Sequence, residues 1–587
     1  MNVTRFRCLR ISASVVALYI TLARVAIILG SNRHINVQMS LLNRILMEGL
    51  DRGLNKLTLG SLRGLASPLR VHTPEMAKPP NIVVFTGEDK ECFEKAESVI
   101  LGIVPLNRFT VFHISAASLG SHPWFERNTS CLLIASGVEA MDSQMWGQIR
   151  EYVCQAGSVG FFSASDVESI VTNLLSPPTA ESVVDLLKKN EPGDSVRISQ
   201  KTDLITAIEV DKSRIVFANK STECEASVRE VLVHLGVYHA MGGVYGLPDL
   251  TRGYMMCEKD LLVLNMDGLT YSDPIGRTPK LLFKPTSVIS RCSLPLPTKE
   301  LVPVEIRRRK TGIPDFDEDL YFNNLKTAEI GKIVISFPVC ESTMDISRSI
   351  VAGLNKSNGI FVVAQMQTKG RGRGGNQWLS PAGCAMFTFN YSFSLTSNLG
   401  QNSAFVQHIL AVAMVDAVLS KLNTTDFPLR IKWPNDLYYD RKYKMGGILV
   451  TASIEKDVLH CVLGAALNVA NSQPTVCLND FITPAIGRKL NIEETLAEIM
   501  NKFEFYANLF QTEGKESFLR AYHRLWLHSG EIVDVQEKGA SATKKVTILG
   551  LDGSGYLEVQ EEHGSPFTVV DDGNTFDMMK GLIRPKS

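Results

Sequence analysis

The sequence predicts two folded units of mixed α/β character and a small β unit, set behind a basic leader and separated by a linker. Three observations carry that division. Between residues 79 and 270, short apolar runs alternate with helix-like stretches. From 320 to 528, longer strands and one almost wholly apolar helix surround a glycine-rich loop. From 529 to 587, brief β-like runs are separated by Asp/Gly turns.

A chain of 587 residues is several times a typical domain, so two or three cores are expected. Apolar residues make up 45% and charged residues 21%, an ordinary globular balance. Lys+Arg and Asp+Glu cancel at 61 each, so a whole-chain attraction to nucleic acid gets no support. The 11 cysteines include no Cys-x-x-Cys pair. That pattern fits reduced, buried thiols and an intracellular protein rather than a disulfide framework.

The leader, residues 1–78, holds no acidic residue before Met47 but contains Arg5, Arg7, Arg10, Arg24, Arg33 and Arg44. It reads as a transit peptide or unstructured leader, consistent with cytoplasm and mitochondrion. A membrane anchor over residues 11–30 is the rival reading, but it would place Arg24 inside the bilayer at about 2.5–3.5 kcal/mol. No membrane partner is expected.

In the 79–270 unit, strands are expected at 81–85, 109–114, 131–135 and 158–162, with helices at 91–101 and 143–156. Such alternation implies a parallel sheet covered by helices. Residues 271–319 are rich in proline and basic side chains, ending near Arg307-Arg308-Arg309-Lys310, and read as a linker whose charge cluster is solvated.

The 320–528 unit opens with a strand at 332–337, a helix at 344–352 and a strand at 359–365. Along 387–393 aromatics alternate with polar residues, so one face is expected buried and the other wet. Residues 404–422 are apolar nearly all round, as in a helix at the centre of a domain. Further strands are expected near Lys432, Ile448 and Cys461. The runs at 531–535, 546–549, 556–559 and 567–570 then suit a small barrel-like β unit.

Two segments carry chemistry. In Gly370-Arg371-Gly372-Arg373-Gly374-Gly375-Asn376-Gln377-Trp378, glycines let backbone N–H groups approach oxygens, and arginines offer forked donors to phosphate. The loop lacks the Gly-Lys-Ser/Thr ending of a P-loop. An Arg/Gly surface loop of the RNA-binding sort is the alternative, but Trp378 and the flanking strands argue against free disorder. The second segment is Lys432-Trp433-Pro434-Asn435-Asp436, followed by Lys444-Met445-Gly446-Gly447. A carboxamide and a carboxylate at a strand end suit a magnesium ion bridging nucleotide phosphates. Lys444, just before an apolar strand, could stand at a pocket mouth. A hairpin turn with a solvated lysine is the bland alternative.

With Ser342-Thr343 and Gln367 ahead of these segments, and Gly464-Ala465-Ala466-Leu467-Asn468, Gly553-Ser554-Gly555-Tyr556 and Gly573-Asn574-Thr575-Phe576 behind them, the region from residue 320 onward resembles the biotin protein ligases, of the eukaryotic holocarboxylase synthetase type. The resemblance implies a class II synthetase-like catalytic domain at 320–528 and an SH3-like barrel at 529–587. The 79–270 unit looks like the glutamine-amidotransferase-like domain of eukaryotic members. Its Ile134-Ala135-Ser136-Gly137 strand end lacks a nucleophilic cysteine, and Cys131 is expected in the core, so this unit is read as non-catalytic. No helix-turn-helix precedes the catalytic region, so a DNA-binding role is unsupported.

The implied activity activates biotin with ATP to biotinyl-5'-AMP and transfers it to a lysine of apo-carboxylases. ATP and Mg2+ act as co-substrate and activator, with no tightly bound prosthetic group. The resemblance assigns Ser342, Thr343, Gln367, Lys444 and Gly446 to biotin. It assigns Gly370, Arg371, Gly372, Arg373, Trp378, Lys432, Asn435, Asp436 and Asn468 to the nucleotide, with Asp436 also facing the metal. Lys444, Arg373 and Arg371 are the expected catalytic residues. A carboxylate is a poor electrophile; adenylation makes it a mixed anhydride through a transition state that positive charge can stabilise. A lipoate or octanoyl ligase would share this logic, but Trp378 and Lys432-Trp433-Pro434 favour biotin.

Overall fold

Aspartates begin three of the first helices. Asp89, Asp142 and Asp166 each accept a backbone N–H from the opening turn of the helix that follows, a capping contact worth about 1 kcal/mol each. Those helices, Lys90–Ile103, Ser143–Cys154 and Val167–Leu174, cover a seven-stranded sheet. Its strands are β1 (Asn81–Phe85), β2 (Thr110–His113), β3 (Thr129–Ile134), β4 (Val159–Phe162), β5 (Val196–Lys201), β6 (Ile205–Val210) and β7 (Ser213–Ala218). The order is β2-β1-β3-β4-β7-β6-β5. The first five positions are parallel, as the alternation predicts, and β6 and β5 add an antiparallel edge. Ile82 and Val84 join one core while Val83 and Phe85 join another on the opposite face. Both faces are therefore covered, which is why these strands read as unbroken apolar runs. Cys131 is fully buried inside β3, where burial pushes its thiol well above the usual range.

The computed structural model describes residues 80–585, except 105–107, 122–123, 126–128, 190–195, 238–247, 259–269, 272–277, 290–292, 309–311, 354–358, 374–376, 473–474, 537–541, 572–573 and 578–581. The expected leader, with its transit-peptide and anchor alternatives, lies outside the described residues. The described residues all fall within one compact unit, residues 74–587.

The second sheet has eleven strands: β8 (Gly253–Cys257), β9 (Thr270–Tyr271), β10 (Lys280–Pro285), β11 (Leu301–Ile306), β12 (Ile333–Cys340), β13 (Ile360–Gln367), β14 (Cys384–Ser394), β15 (Leu429–Lys432), β16 (Asp436–Tyr439), β17 (Tyr443–Glu455) and β18 (Val458–Asn468). Their order is β15-β16-β17-β18-β14-β13-β12-β8-β11-β10-β9. Residues 271–319 are thus no linker: β10 and β11, with part of β9, extend the sheet through β8. Leu281, Phe283, Val304 and Ile306 share a buried cluster with Ile335 and Phe337. Prolines disguised these strands. Pro303 sits where β11 ladders to β10 but is not paired with β8, so its missing N–H costs no ladder bond. Arg307 is not solvated either. Its guanidinium donates to Glu305 at 3.0 Å and lies over the Tyr254 ring.

The Phe405–Leu422 helix is long and apolar enough to cross a membrane by composition, and it is buried against one face of this sheet. Asn423, in the left-handed region at φ 53°, ends it. The Ile492–Glu513 helix packs beside it. The Thr343–Gly353 helix covers the opposite face over β13, β14 and β18. That cover corrects the expectation of a wet face along 387–393: Thr388 and Asn390 are 0% exposed, because β14 is central and shielded on both sides.

The C-terminal strands are β19 (Ile532–Gln536), β20 (Thr543–Leu551), β21 (Leu557–Gln560), β22 (Phe567–Val569), β23 (Asn574–Asp577) and β24 (Leu582–Pro585). They form a six-stranded sheet ordered β22-β21-β20-β19-β24-β23. Val533, Ile548, Leu557, Phe576 and Ile583 belong to the same apolar cluster as the Phe405–Leu422 helix, so this sheet shares its core with the unit before it.

Candidate active site

A cleft lies on the face covered by the Thr343–Gly353 helix. One end is built where β12 runs into that helix beside β13. Cys340 and Gln367 are register partners in those parallel strands, which brings Thr343 to Gln367. The Thr343 N–H and hydroxyl donate to Gln367 Oε1 at 2.8 and 3.1 Å. The Thr388 hydroxyl lies 2.8 Å from that of Thr343, and Gln367 Nε2 donates to Ser380 Oγ at 3.1 Å. Ser342 beside them is 2% exposed, and its hydroxyl has no hydrogen-bond partner. A buried polar group in that state is costly unless something else satisfies it.

The rest of the lining gathers positive charge, each cation held by a carboxylate. Arg371 Nη2 reaches Asp345 at 2.8 Å. Burial raises the Asp345 carboxyl above its ordinary range, and Arg371 and Arg348 offset only part of that rise. Arg373 donates to Asn435 Oδ1 at 3.3 Å and to the Asp571 carbonyl at 2.8 Å, and pairs with the Asp571 carboxylate at 3.2 Å. Lys444 Nζ stands 2.7 Å from Asp436, and Lys432 Nζ 3.9 Å from its other oxygen. Burial alone would raise the Asp436 carboxyl, but the two lysines outweigh it and hold it below the usual carboxylate range. Lys444 also lies 5.4 Å from the centre of the Trp378 ring. Four cationic side chains thus face three carboxylates, a surplus suited to an anionic ligand.

The turn after β15 is braced from behind. The Trp433 N–H donates to His528 Nε2 at 3.1 Å, and His528 Nδ1 lies 2.6 Å from Glu531. With Nε2 accepting, the proton sits on Nδ1. Burial, helped by Lys432 and Arg441, pushes the ring's pKa down to about 3. Asn435 is fixed by its Nδ2 donating to the Ile448 carbonyl at 2.6 Å.

Of the residues singled out from sequence, Ser342, Thr343, Gln367, Arg371, Gly372, Arg373, Trp378, Lys432, Asn435, Asp436 and Lys444 line the cleft. Three do not. Gly370 faces the Trp378 carbonyl and the Ser380 hydroxyl, so any side chain there would strike the loop itself. Gly446 faces the Ala466 carbonyl, 2.7 Å from where a Cβ would sit. Asn468, at the end of β18, is 6% exposed and accepts from Asn471 Nδ2 at 3.0 Å. Sequence reasoning did not assign Thr388, Gln377, Gly464 or Phe576, which also line the cleft. It also missed Asp345 and Asp571, the carboxylates that hold the two arginines.

Residues 336–468 match the Biotin/lipoate A/B protein ligase family. Over 577 residues the chain is 30% identical to human "Biotin--protein ligase", covering 87% of this chain and 78% of that one. It is 36% identical over 278 residues to "Biotin--protein ligase 2" of Arabidopsis thaliana, covering 46% of this chain and 82% of that one. It is also similar to the biotin protein ligase of Aquifex aeolicus solved in complex with biotin and ATP, with TM-score 0.32 and 24% identity over 40% of this chain and 95% of that one.

Proposed function

This chain belongs to the biotin–protein ligase family, and we propose that its cleft adenylates biotin with ATP and then passes the biotinyl group to a lysine of an acceptor protein. The observation that carries the reading is the convergence of Arg371, Arg373, Lys432 and Lys444 on one cleft that also presents the Thr343–Gln367 pair.

In this reading, Thr343, Gln367 and the unpaired Ser342 hydroxyl receive the polar groups of biotin. Lys444 stands between the biotin carboxylate and the α-phosphate. The carboxylate attacks the α-phosphorus, and pyrophosphate leaves. Negative charge builds on the phosphoryl oxygens, and pre-placed cations stabilise it more than they stabilise the ground state. Arg371 and Arg373 exchange Asp345 and Asp571 for the phosphate of the adenylate, which holds the mixed anhydride in the cleft and away from water. The acceptor amine, in its neutral form, then attacks the acyl carbon and AMP leaves.

A magnesium ion fits here as a companion of the nucleotide. Asp436 offers one carboxylate and Asn435 one carboxamide, and among the described residues no three His, Cys, Asp or Glu side chains cluster. Magnesium held by one carboxylate together with phosphates suits such a sparse site, where it would neutralise phosphate charge.

The acceptors are read as the biotin-bearing domains of carboxylases. The N-terminal sheet is read as the glutamine-amidotransferase-like domain and as non-catalytic; the burial of Cys131 within β3 supports that. The six-stranded C-terminal sheet is read as an SH3-like barrel, supported by its short, mostly antiparallel strands. The basic stretch before Met47, which holds no acidic residue, supports a mitochondrial as well as a cytoplasmic location.

The test is transfer itself. Purified protein, biotin, ATP, magnesium and an isolated carboxylase biotin domain should give one biotinylated lysine, seen by intact mass. An unmodified acceptor, or equal modification with lipoate, defeats the reading.

A further inference from the structure

Gln367 sits in a chain of hydrogen bonds whose direction is set at its ends. The Ser380 hydroxyl donates to the Trp378 carbonyl at 3.2 Å. A carbonyl can only accept, so the single hydroxyl hydrogen of Ser380 is committed there. Towards Gln367, Ser380 Oγ is therefore an acceptor, and only the amide nitrogen, Nε2, can supply the hydrogen across their 3.1 Å separation. On the other side of the amide, the Thr343 backbone N–H can only donate, and it meets Oε1 at 2.8 Å. Both neighbours thus demand the same orientation of the Gln367 amide. The Thr343 hydroxyl also donates to Oε1, so it accepts in turn from the Thr388 hydroxyl at 2.8 Å. The hydrogens run one way, from Thr388 through Thr343 and Gln367 to Ser380 and the Trp378 carbonyl.

Ser380 does not line the cleft, and it is 5% exposed. Its hydroxyl has little room to turn. The Gly370 backbone packs so closely against that hydroxyl and the Trp378 carbonyl that a Cβ there would strike both. Pro381 follows directly, which disfavours a helical backbone at Ser380. Gln367 Nε2 also lies 3.5 Å from the Met386 sulfur, but a thioether is a weak acceptor. Ser380 is thus the strong acceptor on which the amide nitrogen depends, and a buried N–H left without one is costly.

We propose that Ser380 is a positioning residue for biotin: by accepting from Gln367 while donating to the Trp378 carbonyl, it fixes the Gln367 amide and the hydroxyl hydrogens of Thr343 and Thr388 in one direction. This rests on the adenylation reading above, in which Thr343 and Gln367 receive biotin. Groups already fixed in the binding orientation need no ordering when the ligand arrives. Without the Ser380 hydroxyl the amide can turn and the hydroxyls can reverse. Affinity for biotin should then fall by roughly fivefold, the size of one uncharged hydrogen bond. Because Ser380 reaches biotin only through Gln367, the effect is conditional on that side chain.

The experiment titrates the full-length protein with biotin alone, by calorimetry, in wild type, Ser380→Ala, Gln367→Met and the double variant. Met keeps the length of Gln367 without its amide. Ser380→Ala should raise the Kd for biotin roughly fivefold. Gln367→Met should weaken biotin by itself, and adding Ser380→Ala to it should change the Kd by less than about twofold, because the two substitutions break one path. A merely structural Ser380 would act through the Trp378 carbonyl, which does not depend on residue 367, so its effect would persist undiminished in the Gln367→Met background. That persistence, or a Kd in Ser380→Ala within about twofold of wild type, overturns the proposal. Ser380→Cys keeps the shape of the side chain with a much weaker donor and acceptor, and it carries the same comparison should alanine destabilise the fold. A wild-type protein that does not bind biotin overturns the adenylation reading itself, and this inference with it.

Discussion

Replacing Lys444 with alanine probes the charge on which the first step depends. Its Nζ lies 2.7 Å from Asp436, and the side chain is 28% exposed. At that distance two unit charges interact by about 6 kcal/mol at an effective dielectric of 20. Lys432 still neighbours Asp436 at 3.9 Å, and solvent reaches the pair. The stability cost should therefore fall between the surface and buried limits, about 1–3 kcal/mol. The rate should suffer more. Removing one pre-placed charge-stabilising group from a transition state costs about 10²–10³ in rate, or about 2.7–4 kcal/mol. Biotin-dependent ATP–pyrophosphate exchange reads that loss directly. A second variant, Asp436→Asn with Lys444→Ala, separates two roles. If Lys444 served only to neutralise Asp436, the pair of changes would restore exchange. The account predicts no recovery, since the lysine acts on the reacting oxygens. Exchange in Lys444→Ala within about threefold of wild type, or full recovery in the double variant, refutes this reasoning.

Three further outcomes are expected. Arg373→Gly should release biotinyl-AMP and label bystander lysines, and Asp571→Asn should do so more weakly, because it loosens Arg373 without removing it; mass spectrometry of added carrier protein checks both. Thr388→Val removes the partner of the Thr343 hydroxyl and should raise the KM for biotin by roughly two- to tenfold with kcat less affected, as steady-state kinetics will report. His408 and His528 are pushed by burial to pKa values of about 4 and about 3, whereas in the unfolded chain a histidine titrates near 6.5. The unfolded state therefore binds more protons, and stability falls as pH drops below about 6.5. Between about pH 7 and 5.5 the two together should cost roughly 2–3 kcal/mol. Denaturant titrations at both pH values check this, and His528→Gln should reduce the drop by about half.

The parts of the site legible in the sequence are those whose chemistry is local. The Gly370–Trp378 loop and the Lys432–Asp436 turn each hold their defining residues within a few positions, and the fold puts Arg371, Arg373, Trp378, Lys432, Asn435 and Asp436 on the cleft. The partners of the arginines were not legible. Asp345 and Asp571 lie 26 and 198 residues from Arg371 and Arg373, and only the tertiary fold brings them together. The alternation along β14 identified which residues share a face, but not that the Thr343–Gly353 helix covers the polar one. Strands β10 and β11 were read as linker because proline and basic residues dominate that stretch. Their alternate apolar positions, Leu281 and Phe283 with Val304 and Ile306, were the signal passed over. Gly446 carries motif identity without reaching the cleft, since the next position of β17, Gly447, turns towards it instead; Asn468, at the end of β18, is engaged by Asn471.

The central claim is that clustered positive charge converts biotin's carboxylate into an activated anhydride on this chain. It is tested most directly by mixing purified protein with magnesium, biotin and ATP labelled in its α-phosphate. The account predicts a labelled biotinyl-AMP that appears only with biotin and stays bound to the protein until an acceptor is added. ATP left intact, or a labelled adenylate formed with lipoate in biotin's place, contradicts it.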